Sequence, residues 1–536
     1  MLANSKLPCD EAVIRSDRDV QDCERKVGRW VLAAAILGSS ISFIDGTVVN
    51  VALPVLQTSL QASVAQTQWV VEAYSLMLSA LILVGGSLGD RLGRKKIFAV
   101  GVFVFGVASA WCGIAPGINQ LILARAAQGI GAAMLVPGSL ALISANFSKK
   151  NRGRAIGTWS GFTAISAGVG PVLGGWLVQN ISWRAVFWIN VPLCAAVLLI
   201  TWFRVPESLD TEEAGKRFDW LGPILATLGL GGVVFGLVES NARGFSDPVV
   251  SASLVIGVVS FIAFLIAEAK EKHPMMPLGL FRSPVFTGAN LLTLFLYAGL
   301  GAVLYFLPFY LIQIQEYPPT AAGAALLPFV LTMFILSRWA GGLVDKYGSL
   351  LPLVIGPLIA AAGFALFVLA GAESQSYWTS VFPAVMVMSV GMTVAVAPLT
   401  TTVMGAVDER RAGIASGINN AVSRTAGLLA VAVFGVAMFA VFGAGLEKRA
   451  ASLPVDVATR DQIVAERGRF IELEPPPGLN DQQRSAVKLS VKQSFVDGFH
   501  VVSLSSAALA VLSAFFAWLL IPRKAGDAAA VQKPAR

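Results

Sequence analysis

The segments GGSLGDRLGRKK (Gly85–Lys96) and AGGLVDKYGSLL (Ala340–Leu351) share the pattern Gly-x-x-x-Asp-(Arg/Lys)-x-Gly, and their acidic residues, Asp90 and Asp345, lie 255 residues apart. Each segment follows an apolar run long enough to form a membrane helix. A repeat of this length predicts two similar halves in parallel orientation. Parallel repeats of membrane helices are typical of transporters whose halves rock against each other.

A second pair of similar segments supports this repeat. NRGRAIG (Asn151–Gly157) and RRAGIASG (Arg410–Gly417) recur at a spacing of 260 residues. Because the two spacings are nearly equal, we expect the repeat to cover a whole half of the chain and not one loop.

The composition places most of the chain in lipid. Of the 536 residues, 55% are hydrophobic and 13% are charged, and the mean hydropathy is +0.70, whereas soluble domains carry roughly a quarter charged residues. So few charges cannot cover the surface of a particle this large in water, which excludes a soluble globular protein. Disordered, collagen-like and coiled-coil chains are excluded as well.

Fourteen apolar runs, numbered here as spans 1 to 14, can cross a bilayer, for which about 20 helical residues suffice. They lie near residues 29–53, 67–88, 97–116, 118–145, 154–178, 185–203, 219–240, 248–269, 286–313, 321–343, 350–371, 377–404, 412–442 and 497–521. The predicted fold is therefore an all-α integral membrane protein, with two six-helix bundles and two inserted helices.

The repeat and the spans together predict the domain organisation. The expected parts are an N-terminal tail (1–28), the N-terminal bundle (29–204), two inserted helices with their linkers (205–285), the C-terminal bundle (286–521) and a C-terminal tail (522–536). An outer loop at 443–496 is expected to form helices near 456–472 and 480–496.

The basic residues predict the orientation in the membrane. Segments on one side hold 27 Lys and Arg residues, and the short loops on the other side hold two. By the positive-inside rule, both termini lie in the cytoplasm and the chain is a multi-pass protein of the cell membrane. The net charge of +8 thus reflects topology, and we expect no nucleic-acid partner.

Metal, redox and enzymatic chemistry have little support in the sequence. Two His and four Cys residues form no CxxC or HExxH spacing, so we expect no metal site and no disulfide framework. A membrane enzyme would need a nucleophile with a base, or a set of metal ligands, among the spans. His273 and His500 supply neither, which indicates that the protein is not an enzyme.

Four motifs in order resemble the major facilitator superfamily, in its fourteen-spanner drug:proton antiporter branch. They are FIDGTVVNVALP (Phe43–Pro54), GGSLGDRLGRKK (Gly85–Lys96), LILARAAQGIGAAMLVP (Leu121–Pro137) and GFTAISAGVGPVLGG (Gly161–Gly175). The resemblance implies the major facilitator fold and efflux of small amphipathic or hydrophobic compounds of the multidrug type by alternating access. It implies a proton gradient as the energy source and no cofactor.

Asp45, Arg125 and Glu72 are the candidate proton-coupling residues. Counted from the outer ends of their spans, all three lie roughly 10 Å below the outer surface, so they can share a cavity. A carboxylate at membrane depth is costly and is a functional candidate by default, and the resemblance assigns Asp45 to proton coupling. Arg125 cannot deprotonate and is expected to serve as a counter-ion or as a switch. A purely structural Asp45, or a fixed ion pair, stays open.

The repeated loop is the candidate gate. Its glycines allow a tight turn, and Asp90 can meet a helix N-terminus or an Arg and hold the cytoplasmic side closed, a role that the resemblance also implies. The candidate gating residues are Gly86, Asp90, Arg91, Gly93, Arg94 and, in the second copy, Asp345.

Span 5 carries the motif that indicates efflux. Gly170 and Gly174 lie on one helix face and allow close helix packing, with a kink at Pro171 and a further Gly175. The resemblance marks this motif as one of antiporters.

The substrate cavity is expected to combine polar groups with deformable apolar side chains. Its candidates are Gln128, Asn290, Tyr305, Gln313, Met392 and Asn419. Span 13 carries Arg424 and no acid, which argues against dicationic drugs. The expected partners are a small-molecule substrate, protons and the lipid bilayer, and a periplasmic adaptor protein stays open. A dedicated exporter of one metabolite or antibiotic, a lipid flippase and a transporter-like sensor are the alternatives.

Overall fold

The computed structural model describes residues 19–147, 149–208, 220–271, 274–373, 375–407, 412–467, 470 and 473–522, and within these ranges the chain is helical. Fourteen helices are long and apolar enough to cross a membrane. In order they are Asp19–Leu60, Val64–Leu92, Arg94–Ile114, Ile118–Asn146, Lys149–Asn180, Ala185–Trp188 with Asn190–Arg204, Leu221–Arg243, Pro248–Lys270, Pro284–Phe309 with Tyr310–Ile314, Pro319–Ala324 with Leu327–Gly341, Leu350–Leu366 with Phe367–Leu369, Phe382–Gly405, Ala412–Ala450 and Asp481–Leu520. These helices are spans 1 to 14.

Four short helices lie between spans. They are Leu278–Arg282, Leu343–Tyr347, Tyr377–Ser380 and Val457–Ala465. The tails 1–18 and 523–536 lie outside the described residues.

The internal repeat is present in the backbone. Gly93 has φ +109° and separates spans 2 and 3, and Gly348, 255 residues later, has φ +75° and ends the short helix after span 10. Both values fall where glycine is favoured, because other side chains are strained there. The two copies of the loop thus need glycine at the same position for the same reason.

Several helix boundaries differ from the prediction; span 1, for example, begins at Asp19 and not near residue 29. Span 1 continues past Pro54 to Leu60, because proline is tolerated inside membrane helices. Span 13 reaches Ala450. The predicted separate helix at 480–496 is wrong: Asn480 and Gln483 form a capping box from which one helix runs unbroken to Leu520. The outer segment between spans 13 and 14 is therefore about half as long as predicted, and its helix is Val457–Ala465.

Each half packs its helices closely through small residues. In the N-terminal half, a side chain at Gly85 or Gly129 would overlap the backbone of the facing helix, at Ala133 and Tyr74. In the C-terminal half, Gly363 lies equally close to span 12. Spans 7 and 8 pack mainly on each other, and span 8 turns an apolar surface outward, as expected of a helix that faces lipid.

Spans 5 and 10 join the two halves at their outer ends and separate toward their inner ends. A side chain at Gly175 would overlap the Pro319 carbonyl oxygen, and one at Gly168 would overlap the Val330 side chain. Gly161 and Gly157 lie on the same face of span 5, yet no described atom lies within 4 Å of a side chain built at either one. Between these two spans, the structure is closed at the predicted outer side and open at the predicted cytoplasmic side.

Candidate functional site

A buried ion pair occupies the interior of the N-terminal half. The Arg125 Nη1 atom donates to Asp45 Oδ2 at 2.5 Å, and the two side chains are 1% and 0% exposed. Arg125 also donates from Nε to the Val70 carbonyl oxygen at 3.0 Å, and from Nη1 to Gln128 Oε1 at 2.7 Å. The pair therefore links spans 1, 2 and 4.

Two amides hold the second oxygen of Asp45. Gln128 Nε2 and Asn190 Nδ2 each donate to Asp45 Oδ1 at 2.9 Å. The same two nitrogens donate to Ser109 Oγ at 3.2 and 3.0 Å, and Ser109 donates onward to the Phe187 carbonyl oxygen. All three side chains are fully buried. Each oxygen of the carboxylate is thus held in place, which compensates part of the cost of burying it.

Aromatic rings enclose the guanidinium. The Arg125 Cζ atom lies 4.3 Å from the centroid of the Tyr74 ring and 5.8 Å from that of Phe187. The Tyr74 hydroxyl forms a 2.8 Å hydrogen bond with Ser42. With Asp45 ionised, the two charges balance. With Asp45 protonated, a buried cation would lose its counter-ion, which typically costs about 3–5 kcal/mol.

Glu72 lies outside this cluster. The prediction that Asp45, Arg125 and Glu72 share one cavity is therefore wrong. Val70 and Tyr74 face Arg125, and Glu72 lies between them in sequence, about 200° around the helix from either. It is fully buried on the face of span 2 that lies toward Tyr305 of span 9. Within the described part of the chain, neither carboxylate oxygen of Glu72 has a hydrogen-bond partner.

The six candidate cavity residues occupy five different surroundings. Gln128 belongs to the ion-pair network, and Met392 is 1% exposed in the core of the C-terminal half, so neither lines an open cavity in this conformation. Asn419 donates to Asn290 Oδ1 at 3.1 Å and to Thr293 Oγ1 at 2.7 Å, which fastens span 13 to span 9.

Tyr305 and Gln313 are the remaining two of the six. Tyr305 lines a small, mostly apolar cavity of about 20 Å³, together with Gln57 and Gln68. Gln313 keeps a buried side-chain oxygen that has no hydrogen-bond partner among the described residues.

The gate loop is held by an acid that the sequence analysis did not select. Asp90 accepts from Arg94 Nε at 2.9 Å on its own loop. Glu207, just after span 6, accepts from the backbone amides of Lys95 and Lys96 at 3.0 and 3.2 Å, and so caps the N-terminus of span 3. Of the two partners expected for Asp90, the structure shows the arginine, Arg94, while the helix N-terminus is capped by Glu207.

The other gate residues frame this contact. Gly86 lies against Pro137 of span 4, and a side chain at Gly93 would approach the Glu207 carboxylate at 2.8 Å. Arg91 lies in the last turn of span 2. Asp345 lies in the helix Leu343–Tyr347, and its side chain is outside the part of the structure that is described.

The glycines of span 5 pack as predicted. A side chain at Gly174 would meet the Val48 backbone oxygen at 3.0 Å, and one at Gly170 would overlap Thr47. Pro171 lies inside the unbroken helix, and its carbonyl oxygen faces Gly323 of span 10. Span 5 therefore contacts span 1 three residues beyond Asp45, and contacts span 10 on another face.

Two residues of the ion-pair network, Ser109 and Asn190, are absent from the sequence prediction. Both are single polar residues inside apolar spans, which was the available signal. That signal is weak, because Ser and Asn in membrane helices often bond within their own helix or to a neighbouring one.

Known proteins with related sequences include antibiotic-resistance and multidrug-resistance proteins. Residues 35–431 match the Major Facilitator Superfamily. The tetracenomycin C resistance and export protein of Streptomyces glaucescens is 31% identical over 92% of this chain and 91% of its own. Multidrug resistance protein Stp of Mycobacterium tuberculosis is 32% identical over 92% of both chains. Puromycin resistance protein pur8 of Streptomyces alboniger is 34% identical over 75% of this chain and 80% of its own.

Solved structures share the fold. A bacterial homolog of the human lysosomal transporter Spinster, in an inward-facing and occupied conformation, has a TM-score of 0.62 at 18% identity and covers 95% of this chain and 99% of its own. The D-xylose-proton symporter has a TM-score of 0.59 at 15% identity and covers 93% and 99%. The chain is thus a multi-pass membrane transporter and not an enzyme.

Proposed function

Because the chain belongs to the Major Facilitator Superfamily, we propose that it exports small amphipathic or hydrophobic compounds in exchange for protons by alternating access. The observation that carries the proposal is the ion pair of Asp45 and Arg125. It lies at membrane depth, is sealed from solvent and is bonded on every side. Ionisable groups at such depth are characteristic of proton relays.

The direction of transport rests on the relatives and on the basic residues. Relatives aligned over most of the chain are named for antibiotic or multidrug resistance, and one of them for export. The excess of Lys and Arg on one side supports cytoplasmic termini in the cell membrane. On that orientation, the open side seen between spans 5 and 10 faces the cytoplasm, where an exported compound would enter.

Asp45 is proposed to carry the proton. In the inward-open conformation the ionised carboxylate balances Arg125. A proton on Asp45 would leave Arg125 without a counter-ion in a low dielectric, and that state favours any rearrangement that gives the guanidinium a new partner. The proton and the conformation would thereby be coupled, as alternating access requires.

Span 5 is proposed to transmit this change to the other half. Thr47 and Val48 follow Asp45 on span 1 and touch Gly170 and Gly174 of span 5. Gly175, the residue after Gly174, touches Pro319 of span 10. A shift of span 1 at Asp45 would thus reach the outer contact between the halves through two glycine-mediated interfaces.

A dedicated exporter of one antibiotic or metabolite is the second candidate. It is favoured by relatives named for single compounds, tetracenomycin C and puromycin, beside others named for multidrug resistance. The two candidates share the mechanism and differ in the breadth of the substrate site.

Transport into inside-out membrane vesicles tests the proposal. A panel of aromatic acids, neutral polycyclic compounds and cationic dyes would be offered, with an imposed proton gradient and with a protonophore. We expect accumulation that requires the gradient and is abolished by the protonophore. Accumulation of several structural types supports multidrug export, and accumulation of one type supports the dedicated exporter. No gradient-dependent transport of any compound would favour a flippase or a sensor.

A further inference from the structure

A second buried arginine, Arg424, belongs to the C-terminal half and faces the N-terminal half. Among the described residues it has no acidic partner. Arg424 is in the middle of span 13, and its side chain is mostly buried. Its Nε atom is inaccessible to solvent and lacks a hydrogen-bond partner, and within the described part of the chain the guanidinium forms no ion pair. Arg125, by contrast, has its charge and its hydrogen bonds satisfied.

The surroundings of Arg424 are aromatic and belong to the opposite half. Its Cζ atom lies 5.9 Å from the centroid of the Phe43 ring on span 1. Tyr74 of span 2 stacks with Arg125 at 4.3 Å, and it also lies close enough to Arg424 for the two to interact electrostatically. Arg125 pairs with Asp45, whereas Arg424 forms no ion pair among the described residues.

The space next to this cluster is open. Phe43 precedes Gly46 by three residues on the face of span 1 that lies toward the other half, and no described atom lies within 4 Å of a side chain built at Gly46. On the same face, the Asn50 side-chain oxygen is buried without a hydrogen-bond partner in the described structure. The open space at Gly46 and the unpaired Asn50 oxygen thus lie on the face of span 1 whose Phe43 ring adjoins Arg424.

We propose that Arg424 binds the acidic group of the exported compound, so that the preferred substrates are aromatic organic anions such as carboxylic acids or acidic phenols. This inference rests on the proposed function and names its substrate class. A guanidinium pairs with a carboxylate through two parallel hydrogen bonds. Such a ligand would supply the missing counter-charge, while Phe43 and Tyr74 pack against its flat apolar body. Cations would be repelled at the same point.

The test compares a charged ligand with a neutral one of equal shape. Anthraquinone-2-carboxylate and anthraquinone-2-carboxamide would be titrated against the purified full-length protein in detergent, without any gradient. The variants are Arg424→Gln and Arg424→Lys, with Arg243→Gln as control, because Arg243 is exposed and pairs with Glu239 on its own helix. Thermal unfolding of each variant reports on folding.

We expect the wild type to prefer the carboxylate by at least about tenfold, as befits a charge-assisted pair. Arg424→Gln should abolish that preference and leave carboxamide binding unchanged, Arg424→Lys should keep part of it, and Arg243→Gln should keep all of it. Equal binding of both ligands by the wild type, binding of neither, or equal loss of both in Arg424→Gln would overturn the anion site. Carboxylate-selective binding without proton-driven transport would refute the proposed function but support the anion site at Arg424.

Discussion

The two halves repeat one helical plan but differ in the charges at their centres. Spans 1 and 4 of the N-terminal half contribute Asp45 and Arg125 to a buried ion pair, whereas the repeat-related spans 9 and 12 carry no charged residue. Buried hydroxyls of span 12, such as Ser389 and Thr393, bond to their own helix. The difference teaches that the paired buried charges lie in the N-terminal half, whereas the C-terminal half contributes a single buried cation, Arg424, which has no ion-pair partner among the described residues.

Replacing Asp45 of the N-terminal half by a neutral residue should have the largest effect on transport. Asp45→Asn keeps the shape of the side chain but cannot exchange a proton, so we expect gradient-driven transport to fall to the level of vesicles without the protein. Asparagine leaves Arg125 without its counter-ion and turns an amide donor toward other donors, so thermal unfolding should show a folded protein with a lowered midpoint. Transport is therefore compared per amount of folded protein.

Glu72→Gln is the matched control for that substitution. Glu72 is also a buried carboxylate in the N-terminal half, but it has no counter-ion among the described residues and lies on the opposite face of span 2. We expect it to retain most of the transport rate. Loss of transport in Glu72→Gln with activity retained in Asp45→Asn would reverse the assignment of the two acids.

Forcing apart the contact between the halves at the outer ends of spans 5 and 10 offers a test of the observed conformation. Gly175→Val would place a side chain against the Pro319 carbonyl oxygen, so spans 5 and 10 must separate at their outer ends. We expect the distance between spin labels there to shift toward longer values, with turnover reduced several-fold. Gly161→Val, on the same face of span 5 but in the open part, should leave that distance distribution unchanged. The same distribution in both variants would contradict the close contact of spans 5 and 10 at Gly175.

Substitutions in the two copies of the repeated loop should have smaller effects on transport, and the effects should differ between the copies. Asp90→Ala removes the partner of Arg94, and we expect slower turnover with substrate affinity within about tenfold, a coupling of about 1.4 kcal/mol. Asp345→Ala should do less, since the second copy lacks the basic run that follows Gly93. Distances between the cytoplasmic ends of spans 2 and 11 should shift in Asp90→Ala. Lost substrate binding with unchanged distances would place Asp90 in the substrate site.

The smallest effect, a change in the free energy of unfolding, is expected when an exposed ion pair of the C-terminal half is removed. Lys492 Nζ donates to Glu316 Oε1 at 2.6 Å, and this cation holds the pKa of Glu316 below its usual value near 4.5. A lowered carboxyl pKa stabilises the fold above the usual value, and the contribution is lost as the pH falls through the lower one. The carboxylate is mostly exposed, so Lys492→Gln should cost less than about 1 kcal/mol. A pH-independent loss upon this substitution would show that packing, not charge, is responsible.

The parts that sequence predicted well depend on strong local signals. Fourteen apolar runs and the repeated Asp90 and Asp345 loops sufficed for the fold, and Asp45 and Arg125 stood out because charges are rare inside such runs. The prediction failed for Glu72, since counting residues gives depth in the membrane but not the direction around the helix axis.

Other features could not be predicted because their partners are distant in the chain. Asn190 reaches Asp45 across 145 residues, and Glu207 caps a helix 112 residues earlier. Nothing in the local sequence marks either contact. The end of span 1 was misplaced at Pro54 for a different reason, because surrounding helices let a membrane helix pass through a proline.

The central claim, that Asp45 carries the exchanged proton, is tested most directly by the proton movement that accompanies substrate. Proteoliposomes would be loaded with an exported compound and diluted without a pH difference, and a trapped dye would report the internal pH. We predict acidification inside wild-type and Glu72→Gln proteoliposomes as substrate leaves, and none with Asp45→Asn or in protein-free liposomes. Acidification by Asp45→Asn equal to that of the wild type would contradict the account.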